Sequence, residues 1–230
     1  MIDLYFWPTP NGLKVTILLE ELGVPYTVHP INITKGEQFT PEFLAISPNN
    51  RMPAIIDSEP ADGGEPLSVF ESGAILTYLA DKHGRFLPTD LRGRVRVNEW
   101  LHWQIGGLGP MAGQAHHFRQ YAPEQVPYAI ERYTKEVNRL YGVMNMRLGE
   151  VPYLAGDDYS IADIASWPWV APHERQGQTL EDFPHLKRWF HEIAARPAVE
   201  TGRRVGEAWR KDFNPASDDA RSVLFGQTAR

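Results

Sequence analysis

Ile2-Asp3-Leu4-Tyr5-Phe6-Trp7-Pro8-Thr9-Pro10-Asn11-Gly12-Leu13-Lys14-Val15-Thr16-Ile17-Leu18-Leu19-Glu20-Glu21-Leu22-Gly23 decides the fold of this chain. The apolar run from Ile2 to Trp7 reads as a strand. From Asn11 onward, Val15, Leu18, Leu19 and Leu22 recur at helical spacing, and Gly23 supplies a stop. Tyr26 to Ile31 then alternates as a second strand. Glu37 to Ile46 reads as a loop with a short helix. Met52 to Asp57 and Pro66 to Phe70 are strands flanking the turn signal Ala61-Asp62-Gly63-Gly64. Glu71-Ser72 opens a helix carrying Ala74, Ile75, Tyr78 and Leu79. The order βαβ followed by ββα predicts an α/β domain, a mixed four-stranded sheet with helices packed on it.

Beyond this point the texture is helical. The chain therefore divides into an α/β domain over 1–82, a turn-rich linker over 83–93, an all-helical bundle domain over 94–210 and a polar tail over 211–230. Arg94 to Phe118 carries Val97, Trp100, Leu101, Ile105 and Leu108, and Pro110 is expected to kink or break it. Pro127 to Leu148 places Ile130, Tyr133, Val137, Leu140, Tyr141 and Met144 on one face. Ser160-Ile161-Ala162-Asp163 resembles a capping box, with Asp where Glu or Gln is usual, for a helix through Trp169. Pro184 to Ala195 and Val199 to Trp209 are further helices. Trp100, Trp103, Trp167, Trp169, Trp189 and Trp209 read as core anchors of the helical domain. Phe213, Leu224 and Phe225 are scattered anchors in the tail.

Composition excludes several classes. A net charge of -6 argues against nonspecific nucleic-acid binding, which rests on phosphate neutralisation. No run approaches the ~18 apolar residues of a membrane span, so no membrane partner is expected. No basic segment followed by an apolar run marks a secretory signal. The absence of cysteine rules out disulfides, thiolate metal sites and a protein thiol nucleophile, and fits a reducing cytoplasm.

Thr9-Pro10-Asn11 places a hydroxyl and an amide where a strand hands over to a helix. Free N–H groups and the helix dipole make this a place to hold an anion. The alternative is a plain connection with Asn11 as N-cap. If the anion is a thiolate, the thiol must arrive on a small molecule.

Specific segments give this plan a family. Met52-Pro53 before a strand, Glu71-Ser72 before a helix and Ser160-Ile161-Ala162-Asp163 resemble the cytosolic glutathione transferases over about residues 1–200. Thr9-Pro10-Asn11-Gly12, Ile46-Ser47-Pro48-Asn49-Asn50, Ala61-Asp62-Gly63-Gly64-Glu65-Pro66 and Gly106-Gly107-Leu108-Gly109-Pro110-Met111 resemble their bacterial nu class. Gln114-Ala115-His116-His117-Phe118 and Tyr128-Ala129-Ile130-Glu131-Arg132-Tyr133 add to that. The resemblance implies a thioredoxin-like first domain, glutathione as cosubstrate, a homodimer and a cytoplasmic location. The class includes glutathione-dependent disulfide-bond reductases.

Under this resemblance Thr9 and Asn11 donate to the glutathione sulfur, with Tyr5 as a second-choice donor and Trp7 as a wall. A charge-assisted hydrogen bond of about 1.5–3 kcal/mol and a helix terminus of roughly 0.3–1 kcal/mol would lower a thiol pKa of ~8.5 by on the order of one to two units. Met52 would pair with the glutathione main chain if Pro53 is cis; the alternative is an ordinary trans proline. Glu71 and Ser72 would hold the γ-glutamyl group, or Ser72 simply caps its helix. Gln38 would reach the glycyl end or a second glutathione, or stay a solvated loop residue; Asn50 and Arg51 are further candidates. Arg132 would bind a glutathione carboxylate, or pair with Glu136 at i+4. His116 and His117, being adjacent on a helix, point in different directions, so no metal site is assigned.

The leading expectation is a disulfide oxidoreductase using two glutathione molecules, or oxidised glutathione, in a cleft between the domains. Alternatives are conjugation to an electrophile, cleavage of a glutathione thioether, or a non-catalytic glutathione-binding regulator on the same fold.

Overall fold

The computed structural model describes residues 1–212, 215 and 217–228. Phe213, expected as an anchor, lies outside the described residues. Two compact units are present: Met1–Lys82 with Thr201–Arg230, and His83–Glu200.

The first unit contains strands β1 (Ile2–Phe6), β2 (Tyr26–Pro30), β3 (Ala54–Asp57) and β4 (Leu67–Phe70), in the sheet order β2-β1-β3-β4. β1 runs parallel to β2 and antiparallel to β3, and β3 is antiparallel to β4. The parallel pair requires a crossover, which helix α1 (Pro10–Leu22) supplies. Along β1 the pleat sends Ile2, Leu4 and Phe6 into the core and leaves Asp3 and Tyr5 half-buried. α1 ends at Gly23, whose left-handed φ of 69° closes the helix as its sequence predicts. Between β2 and β3 lie a 3-10 turn (Glu37–Phe39) and the short helix α2 (Pro41–Leu44). Helix α3 (Ser72–His83) follows β4. The mixed four-stranded sheet is therefore as expected.

In the second unit, α4 (Leu91–Trp103) is capped by Asp90, which accepts from Gly93 N–H. It does not break at Pro110. A wide i→i+5 turn over Gln104–Leu108 leads straight into α5 (Gly109–His116). That wider turn relieves the clash of the proline ring with the preceding carbonyl, so the helix continues. A second wide turn, His117–Tyr121, ends this stretch. α6 (Pro127–Glu150) buries Val137, Leu140, Tyr141, Met144 and Leu148 along one face. α7 (Ile161–Val170) opens with the capping box that Ser160 and Asp163 announce. Asp163 is buried, and its carboxylate also accepts from Leu154 N–H and Trp189 Nε1. α8 (Pro184–Ala194) buries Leu186, Trp189 and Ile193.

The C-terminal segment differs from expectation. α9 (Pro197–Arg204) is followed by a 3-10 turn (Glu207–Asp212) and α10 (Asp218–Phe225). From Thr201 onward these residues group with the sheet, not with the helical bundle. Thr16 Oγ donates to Gly202 C=O at 2.9 Å, and Trp209 stacks on Trp7 at 5.8 Å. Trp209 is thus an anchor of the first unit and not, as its sequence position suggests, of the helical domain. Among the described residues, no helix is long and apolar enough to cross a membrane.

Candidate active site

β1 delivers the chain to a tight turn in which Thr9 N–H donates to Trp7 C=O at 2.7 Å. Thr9 has extended backbone angles, and its hydroxyl oxygen accepts from Gly12 N–H at 3.5 Å. Thr9, not Asn11, is therefore the N-cap of α1. The reason lies in Pro10: proline favours the first helical position, which sets the cap at Thr9 and leaves Asn11 inside the first turn. Gly12 permits the turn to fold against its strand. A Cβ there would stand 2.3 Å from Trp7 C=O and 2.8 Å from the Phe6 ring.

The Met52-Pro53 bond is cis. The Met52 side chain lies under the same turn, its sulfur 3.1 Å from Trp7 N and 3.8 Å from the Thr9 hydroxyl. The structure thus brings Thr9, Met52 and Pro53 together, and adds a Met52 side-chain contact that sequence reasoning missed.

Glu71 adopts a left-handed φ of 70°, which bends the chain from β4 into α3. Its carboxylate accepts from Asn49 Nδ2 at 3.1 Å. Ser72 is the first residue of α3 and is buried. Its hydroxyl oxygen accepts from Lys14 Nζ at 3.3 Å. Lys14 is itself buried on α1, and that burial lowers its pKa to about 7, with Glu71 pulling the other way. Sequence reasoning passed over Lys14, because α1 is buried at every position from Gly12 to Leu19 and apolar spacing singles out no face for it.

Gln38 is buried rather than solvated. Its Nε2 donates to Ile33 C=O at 3.1 Å, and its Oε1 has no hydrogen-bond partner among the described residues. Arg51 bonds Asn50 Oδ1 at 3.1 Å and Gln227 Oε1 at 2.9 Å, so the C-terminal segment already engages this pair. Tyr5 lies on the sheet face opposite Phe6 and stacks on His29 at 4.9 Å. Burial, followed by the Asp3 charge, raises its pKa, which makes it a poorer donor to a thiolate than an ordinary phenol. Trp7 is buried against Trp209.

In the second unit, Arg132 is exposed on α6 in a shallow groove with Tyr128, Glu131, Lys135, Glu136 and Arg139. The i+4 pair with Glu136 does not close. Arg139 takes both oxygens of Glu136, at 2.7 and 2.9 Å. His116 bonds the Tyr121 hydroxyl at 3.2 Å, and burial, followed by the Arg175 charge, lowers its pKa to about 4. His117 packs edge-on against Phe118 instead, and burial lowers its pKa as well. The two rings are thus engaged separately.

The N-terminal domain model of glutathione S-transferases matches residues 1–81, and the C-terminal domain model matches residues 110–197. The chain is 58% identical over 199 residues to the disulfide-bond oxidoreductase YfcG of Escherichia coli (strain K12), covering 86% of this chain and 93% of that protein. It superposes with a TM-score of 0.83, at 44% identity, on a glutathione transferase family member from Pseudomonas fluorescens with two glutathione bound, covering 88% of this chain and 92% of that one. A glutathione transferase from Pseudomonas putida, with one glutathione disulfide bound per subunit, gives 0.83 at 40% identity, covering 89% and 91%.

Proposed function

The chain belongs to the glutathione S-transferase family, and we propose that within it the protein is a glutathione-dependent disulfide oxidoreductase of the nu class. Both working thiols come from bound glutathione. The observation that carries this reading is the Thr9 turn, set against cis Pro53 in a chain without cysteine. The Thr9 oxygen accepts from Gly12, so its own O–H proton is available to a ligand sulfur. In place of its weak contact with the Met52 sulfur, a thiolate would receive a charge-assisted hydrogen bond. The first turn of α1 adds a favourable dipole. Together these lower the thiol pKa by on the order of one to two units, enough to populate the nucleophile at neutral pH.

One glutathione thiolate attacks a sulfur of the substrate disulfide. The S–S bond breaks, one substrate thiolate leaves and takes a proton from water, and a mixed disulfide forms. The second glutathione thiolate attacks the glutathione sulfur of that mixed disulfide. Oxidised glutathione and the second substrate thiol result, so the substrate gains two electrons and two glutathiones lose one each. Thr9 and Asn11 serve the sulfur. Met52 pairs with the glutathione main chain as an added strand, next to cis Pro53. Glu71 receives the γ-glutamyl ammonium and Ser72 its carboxylate. The buried Gln38 amide and Arg132 serve further polar groups and carboxylates. The protein acts as a cytoplasmic homodimer in this reading.

The test is turnover of 2-hydroxyethyl disulfide with reduced glutathione, coupled to glutathione reductase and NADPH. Turnover well above the uncatalysed rate is expected. None above that rate, with an electrophile such as a chlorodinitrobenzene conjugated instead, would move the protein to the transferase reading.

A further inference from the structure

Behind Ser72, on the buried face of α1, stands a charged side chain that the reaction above does not use. Lys14 is 2% exposed, and its Nζ donates to the Ser72 oxygen at 3.3 Å. Lysine is almost never fully buried without a partner, because desolvation penalises the ammonium. Glu71, the residue before Ser72, is one charged group that acts on it, favouring the ammonium. Thus a buried amine, a serine hydroxyl and a glutamate meet at the head of α3.

The direction of the Lys14–Ser72 hydrogen bond has a chemical consequence. While Lys14 is an ammonium it can only donate, so Ser72 accepts from it and must turn its own O–H elsewhere. A deprotonated Lys14 could accept that proton instead, which would leave an oxygen lone pair facing outward. The first state suits a carboxylate ligand and the second repels it. We propose that Lys14 is the positioning residue of the γ-glutamyl subsite: as an ammonium it fixes Ser72 as an outward donor and supplies a buried positive charge to the ligand carboxylate. This rests on the reading that glutathione is the ligand and that Ser72 meets its carboxylate.

A bound carboxylate stabilises the ammonium, so ligand binding raises the proton affinity of Lys14. Its free-state value of about 7 places the change near neutrality. Above that pH, binding draws a proton from solution; a lysine that merely fills space behind Ser72 would draw none.

The experiment is calorimetric titration of the full chain with S-methylglutathione, which has no ionisable thiol. It is run at about pH 8, one unit above that value, in buffers of different ionisation enthalpy. The wild type is expected to take up close to one proton on binding. Lys14→Met is expected to lose that uptake and about tenfold in affinity, and adding Ser72→Ala to Lys14→Met should cost little more. Met fills similar volume without a buried charge, and a thermal melt confirms that the variant is folded. If Lys14→Met does not fold, the buffer dependence of wild type and Ser72→Ala decides: the proposal requires uptake in the wild type that shrinks in Ser72→Ala. Binding with no proton uptake, or with uptake that Lys14→Met retains, overturns the role of Lys14 while leaving the glutathione reading intact. No binding to the wild type overturns the glutathione reading itself.

Discussion

Thr9 performs two tasks with one hydroxyl. Its oxygen caps α1 by accepting from Gly12 N–H, and in the proposed reaction its proton goes to the ligand sulfur. The two tasks separate by substitution. Thr9→Ser keeps the hydroxyl and should keep most of the activity. Thr9→Val removes cap and donor, costing about 1 kcal/mol of stability and roughly 10- to 100-fold in kcat/KM for disulfide reduction. Parallel melts and steady-state rates check both. Asn11→Ala should lower kcat/KM with a smaller change in melting temperature, since Asn11 is not the cap. That a hydroxyl and an amide stand together at a strand–helix junction was legible in the sequence, although both residue types also serve there as ordinary helix caps. The distribution of their roles was not, because it depends on how Pro10 sets the helix start. Lys14 and Gln38 were less legible still: both are polar residues whose burial is decided by neighbours distant in sequence.

At the scale of elements, helix starts and close approaches control the geometry. Gly12 has no special backbone angle; it is required because its Cα faces the strand end it has just left. Gly12→Ala should therefore cost about 1–3 kcal/mol through overpacking and displace the turn, seen as a lower melting temperature together with weaker glutathione binding. In α7 the Asp163 carboxylate accepts from Ser160 N–H, Ser160 Oγ, Leu154 N–H and Trp189 Nε1. Asp163→Asn sets an NH2 against donors and should destabilise by about 3 kcal/mol, measured by denaturant unfolding. Strand and helix order followed from apolar spacing together with turn and stop signals such as Gly23 and Ala61-Asp62-Gly63-Gly64. The wide turns over Gln104–Leu108 and His117–Tyr121 did not, because Pro110 signals a disturbance without saying how the main chain accommodates it.

For the molecule as a whole, buried titratable groups set how stability follows pH. His116 has a folded pKa of about 4, below the ordinary 6.5, so the unfolded state binds more protons between those values. Its contribution is therefore full above about pH 6.5 and is lost as pH falls toward 4. Asp163 tilts the other way: burial raises it to about 6, so its contribution grows as pH falls from 6 toward 3.8. His116→Gln keeps a partner for Tyr121, and its melting temperature should fall less steeply than the wild type's between pH 6.5 and 4. An equal slope would show that His116 takes up its proton as readily in the folded state as in the unfolded one. At this scale the two-part plan was legible, but the return of residues 201 onward to the sheet unit was not. It rests on contacts such as Trp7 with Trp209 and Thr16 with Gly202, pairs about two hundred residues apart that no local pattern announces. The central claim, that the turn at Thr9 holds a ligand-borne thiolate, is tested most directly by titrating the ultraviolet thiolate absorbance of reduced glutathione bound to wild type and to Thr9→Val. A bound-thiol pKa roughly one to two units below that of free glutathione, returning most of the way in Thr9→Val, is the predicted result. A bound thiol that titrates like free glutathione in the wild type, or one whose lowered pKa survives in Thr9→Val, would contradict it.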